Sequence, residues 1–482
     1  MRQLVKPGAP KADSNARSRR PAVGPKAKEK PAAASGHRRL CYLAILAVTI
    51  FLWYRFSLLD DDGLRTGRAK GDADPCQGRY IYVCKLPARF NADIIRDACR
   101  DTDAGGERLC ASVGNAGLGR PLEDPADGVL TGENGWHGTR QLALDVIFHN
   151  RMKRYECLAN RSTVATAIFV PFYASLDFAR HAAVGDNATR DAAAADVADW
   201  LRWRPEWDRR SDGHDHFLVA GRAARDLMRD GSGPDWGTNL LVTPAGRNMS
   251  ALVLESSLHE ATSGFAVPYP TYFHPRTDAD VFRWQERVRG LRRTWLMAFV
   301  GGETRQAPGS PATTNDYVMA QCKASESCGH LKLGRCAAGS TSQCHSPVNV
   351  MRLLQNATFC LHPPPGGDSY TRRWAFDSMV AGCIPVFFNP ASAYLQYKWH
   401  LPKDYTKYSV LVPEAGIRAG TVSIEATLRA IPAATVARMR EEVVRLIPTV
   451  VYADPSAKLE TVKDAFDIAV EGILHSVARP RA

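Results

Sequence analysis

The sequence predicts an α/β protein with two parallel-sheet units facing one another across a cleft, behind a single membrane-spanning segment. Three observations lead there. Short runs rich in β-branched and aromatic residues alternate with helical stripes, which is the pattern of parallel sheets with crossover helices. That alternation occurs twice, before and after residue 290. A length of 482 residues also exceeds what one core usually organises. In the first unit, residues 79–86 (RYIYVCKL) and 165–173 (ATAIFVPFY) read as strands, and 139–155 places Leu142, Val146, Ile147 and Phe148 on one helical stripe. Apolar runs at 216–220, 240–243, 251–254 and 295–300 extend the series. The second unit continues with a strand at 359–362, a helix over 371–381, a buried strand at 383–388 and another at 409–412. A last helix over 457–477 carries Leu459, Val462, Phe466, Ile468, Ala469 and Ile473. Trp200, Trp203 and Trp207 stand at helical spacing, which predicts packing rather than a platform for sugars.

Ordinary globular composition, with 45% hydrophobic and 23% charged residues, excludes a disordered, collagenous or multi-span chain. The net charge of +12 invites a search for nucleic acid, but its distribution points elsewhere. Residues 1–39 hold eleven Lys or Arg against Asp13 and Glu29, a local +9, and have almost no large apolar side chains. They are expected to be a disordered cytosolic tail. Residues 40–59 follow with Arg55 as their one charge, and these 20 residues reach about 30 Å as a helix, enough to cross a bilayer. No small-x-small cleavage site follows, and basic residues before the span with Asp60, Asp61 and Asp62 after it orient a retained signal anchor, amino terminus inside. Residues 60–75 read as a stem, 76–289 as the first α/β domain and 290–482 as the second. Sequons at Asn160, Asn187, Asn248 and Asn356 all fall on the luminal side. Eleven of the twelve cysteines do too, with Cys41 in the span. An oxidising lumen favours disulfides, and an odd number leaves at least one thiol over. The cluster Cys322, Cys328, Cys336 and Cys344, with His330 and His345, lacks a Cys-x-x-Cys pair and reads as disulfides rather than zinc.

Residues 363–385 (PPPGGDSYTRRWAFDSMVAGCIP) hold the most chemistry. A strand ends, Gly366 and Gly367 permit a tight turn, Asp368 or Ser369 can cap, and a helix begins. Arg372 and Arg373 then fall in its predicted first turn, where a cation is disfavoured by about 0.3–1 kcal/mol unless an anionic ligand binds there. Guanidinium forks match phosphate oxygens, so this is a candidate diphosphate site. Asp377, one turn on, can orient Arg373 or accept a ribose hydroxyl. No P-loop, dinucleotide fingerprint or nucleophile elbow is present. Asp278 and Asp280 imitate a metal-binding Asp-x-Asp but follow His-Pro-Arg-Thr rather than a strand, and helix capping explains them.

Residues 367–388 closely resemble the plant branch of the exostosin family, glycosyltransferase family 47, and are most similar there to the xyloglucan galactosyltransferases. Blocks at 79–91, 141–158, 167–177, 215–222, 268–275, 398–410 and 452–470 agree in order, so the resemblance covers nearly the whole body. It implies a Golgi type II membrane protein of GT-B fold, two Rossmann-like domains facing a cleft, that transfers galactose from UDP-galactose to xylosyl branches of xyloglucan with inversion. It assigns Gly367, Asp368, Ser369, Arg372, Arg373 and Asp377 to the donor site. Inversion calls for a base on the acceptor hydroxyl, and Asp215, His216 and Glu255 are the candidates. No cofactor or metal is expected, because arginines and a helix end can neutralise the diphosphate. Expected partners are a UDP-sugar, a wall polysaccharide, the membrane through one helix, and other Golgi glycosyltransferases, with no nucleic acid. Gly213-His214, where relatives usually have Gly-Arg, and the three prolines before Gly366 depart from the family pattern. They keep open another UDP-sugar such as arabinose, another acceptor such as pectin or xylan, or a glycan-binding protein without turnover.

Overall fold

A computed structural model describes residues 74–101, 108–182, 186–209, 212–231, 236–258, 264–302, 310–332, 346–366 and 369–478. The expected tail, anchor and nearly all of the stem lie outside these residues, as do Gly367, Asp368, Cys336, Cys344 and His345. Among the described residues no helix is long and apolar enough to cross a membrane.

Among the described residues, ten strands form two five-stranded parallel sheets within one compact unit spanning Asp74–Ala482. The first sheet contains β1 (Ile81–Val83), β2 (Ala167–Phe169), β3 (His216–Ala223), β4 (Ser250–Glu255) and β5 (Gly264–Ala266), side by side in chain order. The second contains β6 (Trp295–Val300), β7 (Cys328–Leu331), β8 (Ala357–His362), β9 (Ile384–Phe387) and β10 (Val410–Leu411), in the order β10-β9-β8-β6-β7. Parallel strands are covered on both faces, which is why β2, β4 and β9 are buried throughout. The period-two alternation sorts side chains between two cores. Phe169, Phe217, Val219, Leu252 and Leu254 join a core continuous with the second sheet, whereas Ile168, Val170, Leu218, Ala251 and Val253 face a separate cluster.

The principal helices are α1 (Leu144–Met152), α2 (Ala174–His181), α3 (Asn187–Arg202), α4 (Asp278–Gly290), α5 (Thr314–Ala324), α6 (Pro347–Gln355), α7 (Trp374–Val380), α8 (Ala433–Arg445) and α9 (Ala465–Val477). Two of them cross the expected boundary at 289/290. Helix α4 precedes it yet packs on the second half, where Trp284 donates to the Val380 carbonyl and Gln285 to that of Val444. Helix α9 returns to the first half: Phe466 packs on Phe148, with ring centroids 4.6 Å apart, and Arg151, 6% exposed, pairs with Asp464 at 3.1 Å.

Several expected elements shift. Residues 240–243 form a 3-10 turn, Leu240–Val242, instead of a strand. The first sheet instead gains β5 and the second gains β7, whose sequences GFA and CGHL are too short and too Gly-rich to announce themselves. The last helix starts at Ala465 rather than 457 because Asp464 caps it in a reciprocal box with Asp467. Of the tryptophans, Trp207 is buried, Trp203 is 85% exposed, and Arg204 lies 3.9 Å over Trp200, so the set does not form one packed stripe. Disulfides join Cys76 to Cys157, Cys99 to Cys110, Cys322 to Cys328 and Cys360 to Cys383, and Cys84 is free and buried. Asp280 completes a capping box with Thr277, while Asp278 accepts the amides of Glu460 and Thr461, which accounts for the Asp-x-Asp pair.

Candidate active site

In an open parallel sheet, ligands bind outside the carboxyl ends of the strands, where the strand order reverses. The second sheet has such a point between β6 and β8, because the chain leaves β6 for β7 on one side and returns to β8 on the other. Arg372 spans it. Its Nε donates to the carbonyl of Pro363, just past β8, at 2.7 Å. Its Nη2 donates to Oδ1 of Asn315 at 2.8 Å, and the Asn315 amide holds the Gly302 carbonyl, just past β6, at 3.0 Å. Both acceptors are neutral, and among the described residues Arg372 has no carboxylate partner. Burial pulls its pKa down to about 10, against a smaller opposing pull from Tyr269. A guanidinium held at strand ends without a counter-charge is poised for an anion.

Arg373 is built differently. Its Nε pairs with Asp377 at 3.1 Å, its Nη1 donates to the Thr139 carbonyl, and its guanidinium lies 3.8 Å over the Tyr272 ring. Its Nη2 is buried and has no hydrogen-bond partner among the described residues. Asp377 is fully buried, accepts the Tyr272 amide at 3.2 Å as well, and has its pKa raised by burial against the pull of Arg373. Of the two roles open to it in the sequence, the geometry here is that of orienting Arg373. Helix α7 begins only at Trp374 and has seven residues, so both arginines precede the helix rather than occupy its first turn, which removes the macrodipole argument. The site therefore rests on guanidinium groups.

Around it stand polar residues that the sequence did not single out. Glu414, following β10, accepts from Asn389, following β9, at 2.6 Å and from Thr314 at the start of α5, also at 2.6 Å. His362, at the end of β8, contacts Ser378 Oγ at 3.0 Å, and burial first and Arg372 second push its pKa down to about 3. No local motif marks Asn315, Asn389 or Glu414. Only their place at the carboxyl ends of neighbouring strands would have found them.

The three base candidates separate. Asp215 and His216, bonded to each other at 2.8 Å, sit at the amino end of β3, with His216 packed on Trp207. Glu255 ends β4, where its register partner is Ala223 at the far end of β3. The eight residues of β3 span about 23 Å at about 3.3 Å per residue, so the Asp215–His216 pair lies at the opposite edge of the first sheet. Glu255 does reach the donor segment. It accepts from Ser369 Oγ at 2.7 Å and from the amides of Tyr370 at 2.8 Å and Thr371 at 3.3 Å.

The exostosin GT47 domain matches residues 75–428, which contain both sheets and every residue of this site. The chain is a member of the exostosin GT47 family. It is 51% identical over 410 residues to the xyloglucan galactosyltransferase MUR3 of Arabidopsis thaliana, covering 85% of this chain and 64% of that protein's length. Over 425 residues it is 43% identical to the probable xyloglucan galactosyltransferase GT12 of the same plant, covering 87% and 81%. The xyloglucan-specific galacturonosyltransferase 1 of Arabidopsis thaliana is 33% identical over 418 residues, covering 86% and 60%. Within the exostosin domain of this chain, the disulfide Cys360–Cys383 brackets the whole segment from the end of β8 through α7.

Proposed function

We propose that this chain is a Golgi glycosyltransferase of GT-B type that transfers galactose from UDP-galactose to the xylosyl side chains of xyloglucan with inversion. The observation that carries the reading is Arg372, half-buried at the β6/β8 crossover point, with no carboxylate partner among the described residues and bonded to neutral acceptors on both sides. A sugar nucleotide's diphosphate supplies the missing charge. As the bond from the anomeric carbon to the diphosphate breaks, negative charge grows on the leaving oxygen, and a preorganised guanidinium stabilises that charge without reorganising. Arg373, held rigid by Asp377 and Tyr272, adds a second cation. With two arginines in place the transfer needs no metal ion, and activity is expected to persist in EDTA. The oxidised cysteines and the exposed sequon residues Asn160 and Asn356 support a luminal body behind an anchor at 40–59.

The test is release of UDP by the purified protein with xyloglucan oligosaccharides across a panel of UDP-sugars. Galactose transfer is expected, and no release with any donor overturns the reading. One relative is named a galacturonosyltransferase, so UDP-galacturonic acid belongs in the panel. Preference for it keeps the donor site and changes the sugar.

A further inference from the structure

We infer that Glu255 is a positioning residue that latches the donor segment of the second half onto the end of β4, and that it does not act as the base. The inference rests on the donor-site reading above. Glu255 is 4% exposed and terminates a strand buried along its whole length. A carboxylate has about four lone-pair positions. All four are taken here: one oxygen accepts from the Tyr269 hydroxyl at 2.8 Å and Ser369 Oγ at 2.7 Å, and the other accepts the amides of Tyr370 and Thr371. No cation is among these partners, so four neutral donors replace the water that the buried charge has lost. A general base must present a free lone pair to the hydroxyl it deprotonates, and none is left.

The neighbours of Glu255 make the same connection. Tyr397 donates to the Leu254 carbonyl at 2.7 Å, and the Ser256 amide donates to Gln396 Oε1 at 2.9 Å. Three consecutive residues at the end of β4 are thus joined to the second half. On the far side of the donor segment, Ser392 donates to the Tyr370 carbonyl at 2.7 Å, and Thr371 donates to the Ser392 carbonyl at 2.5 Å. Residues 369–371 are clamped from both sides, and the next residue is Arg372. A carboxylate in the first sheet thereby sets where the guanidinium stands in the second.

Glu255→Gln separates latch from base, because a carboxamide removes the charge and leaves one acceptor oxygen, which serves the Tyr370 and Thr371 amides only if the Tyr269 and Ser369 hydroxyls reverse to accept from its NH2 group. For a latch, Glu255→Gln weakens UDP binding by about tenfold or more and speeds hydrogen exchange at the Tyr370 and Thr371 amides by a similar factor, while the pH profile of turnover keeps its shape. Ser369→Ala, which removes one donor and little packing, gives a smaller shift of the same kind and stands in if Glu255→Gln fails to fold. For a base, Glu255→Gln leaves UDP affinity and amide exchange unchanged, lowers kcat by about 10²–10⁴ and abolishes the acid limb of the profile. That second result, or unchanged UDP affinity and exchange in both variants, overturns the latch. If the unsubstituted protein binds no UDP, the donor-site reading fails by itself, and amide exchange in the ligand-free protein still decides the latch.

Discussion

The two sheets have five parallel strands each and differ in order: the first runs in chain sequence and the second reverses between β6 and β8. In the first, the carboxylates of Asp145, Asp177 and Asp226 are met within the first half, whereas Glu255 at the end of β4 is met largely by residues 369–371 of the second. Asp177 holds Arg180 at 2.6 Å, Asp226 stands 3.8 Å from Arg222, and Asp145 is satisfied by Ser175 and the Gly221 amide. In the second, the order reverses between β6 and β8, and the crevice there contains a guanidinium with no counter-charge among the described residues. A reversal opens a crevice because the connections on either side of it leave in opposite directions.

The strongest way to break this contrast is Arg372→Ala, expected to lower kcat/KM by about 10³ or more, the scale of losing a preorganised transition-state donor, with the fold retained. Steady-state kinetics with circular dichroism would show it, and retained turnover would make the crevice incidental. Arg373→Ala should cost activity and also about 3–5 kcal/mol of stability, because Asp377 is left buried without its partner. Denaturant titration separates the two effects. Replacing both Cys360 and Cys383 by Ala, which opens the loop of separation 23 around the donor segment, should cost about 3 kcal/mol on a chain-entropy estimate.

Two buried groups sharpen the contrast through pH. His362 in the second sheet is pushed down to about 3 by burial, below the usual histidine value of 6.5. The stability it contributes is complete above pH 6.5 and is lost as pH falls, by about 3 kcal/mol at pH 4.5. Asp145 in the first sheet is pushed up to about 6 by burial, so the stability of its neutral form is complete below about pH 4 and is lost as pH rises through 6. The stability cost of His362→Gln should therefore shrink on acidification and that of Asp145→Asn should grow, as melting curves at pH 4.5 and 7 would reveal. The smallest effect is expected from Asp215→Asn at the far edge of β3, with kcat within about threefold of the parent. A large loss of turnover without a loss of stability would return the Asp215–His216 pair to the chemistry.

Much of this site was legible in the chain. Residues 363–385 stand out because two arginines follow a Gly-rich turn at the end of a strand, although the helix-end penalty expected for them does not arise, since α7 begins only at Trp374. The disulfide reading of Cys322 and Cys328 followed from the missing zinc spacing, and the Asp278/Asp280 reading from helix capping. Glu255 is one of three base candidates in the sequence, after Asp215 and His216, and its oxygens accept from residues 14 to 116 positions away, partners that no local pattern marks. The start of α7 was misplaced by three residues because Ser369, Tyr370 and Thr371 are held in a clamp instead of winding into a first turn.

By itself the sequence determined two α/β halves, the arginine pair and the family, since these follow from periodicity, guanidinium chemistry beside a Gly-rich turn, and blocks in shared order. Tertiary structure alone decided the strand order, and with it where the crevice lies and which of three base candidates stands beside it. Strand order is a matter of long-range pairing, and hydrophobic patterns fix which residues are buried without fixing their neighbours.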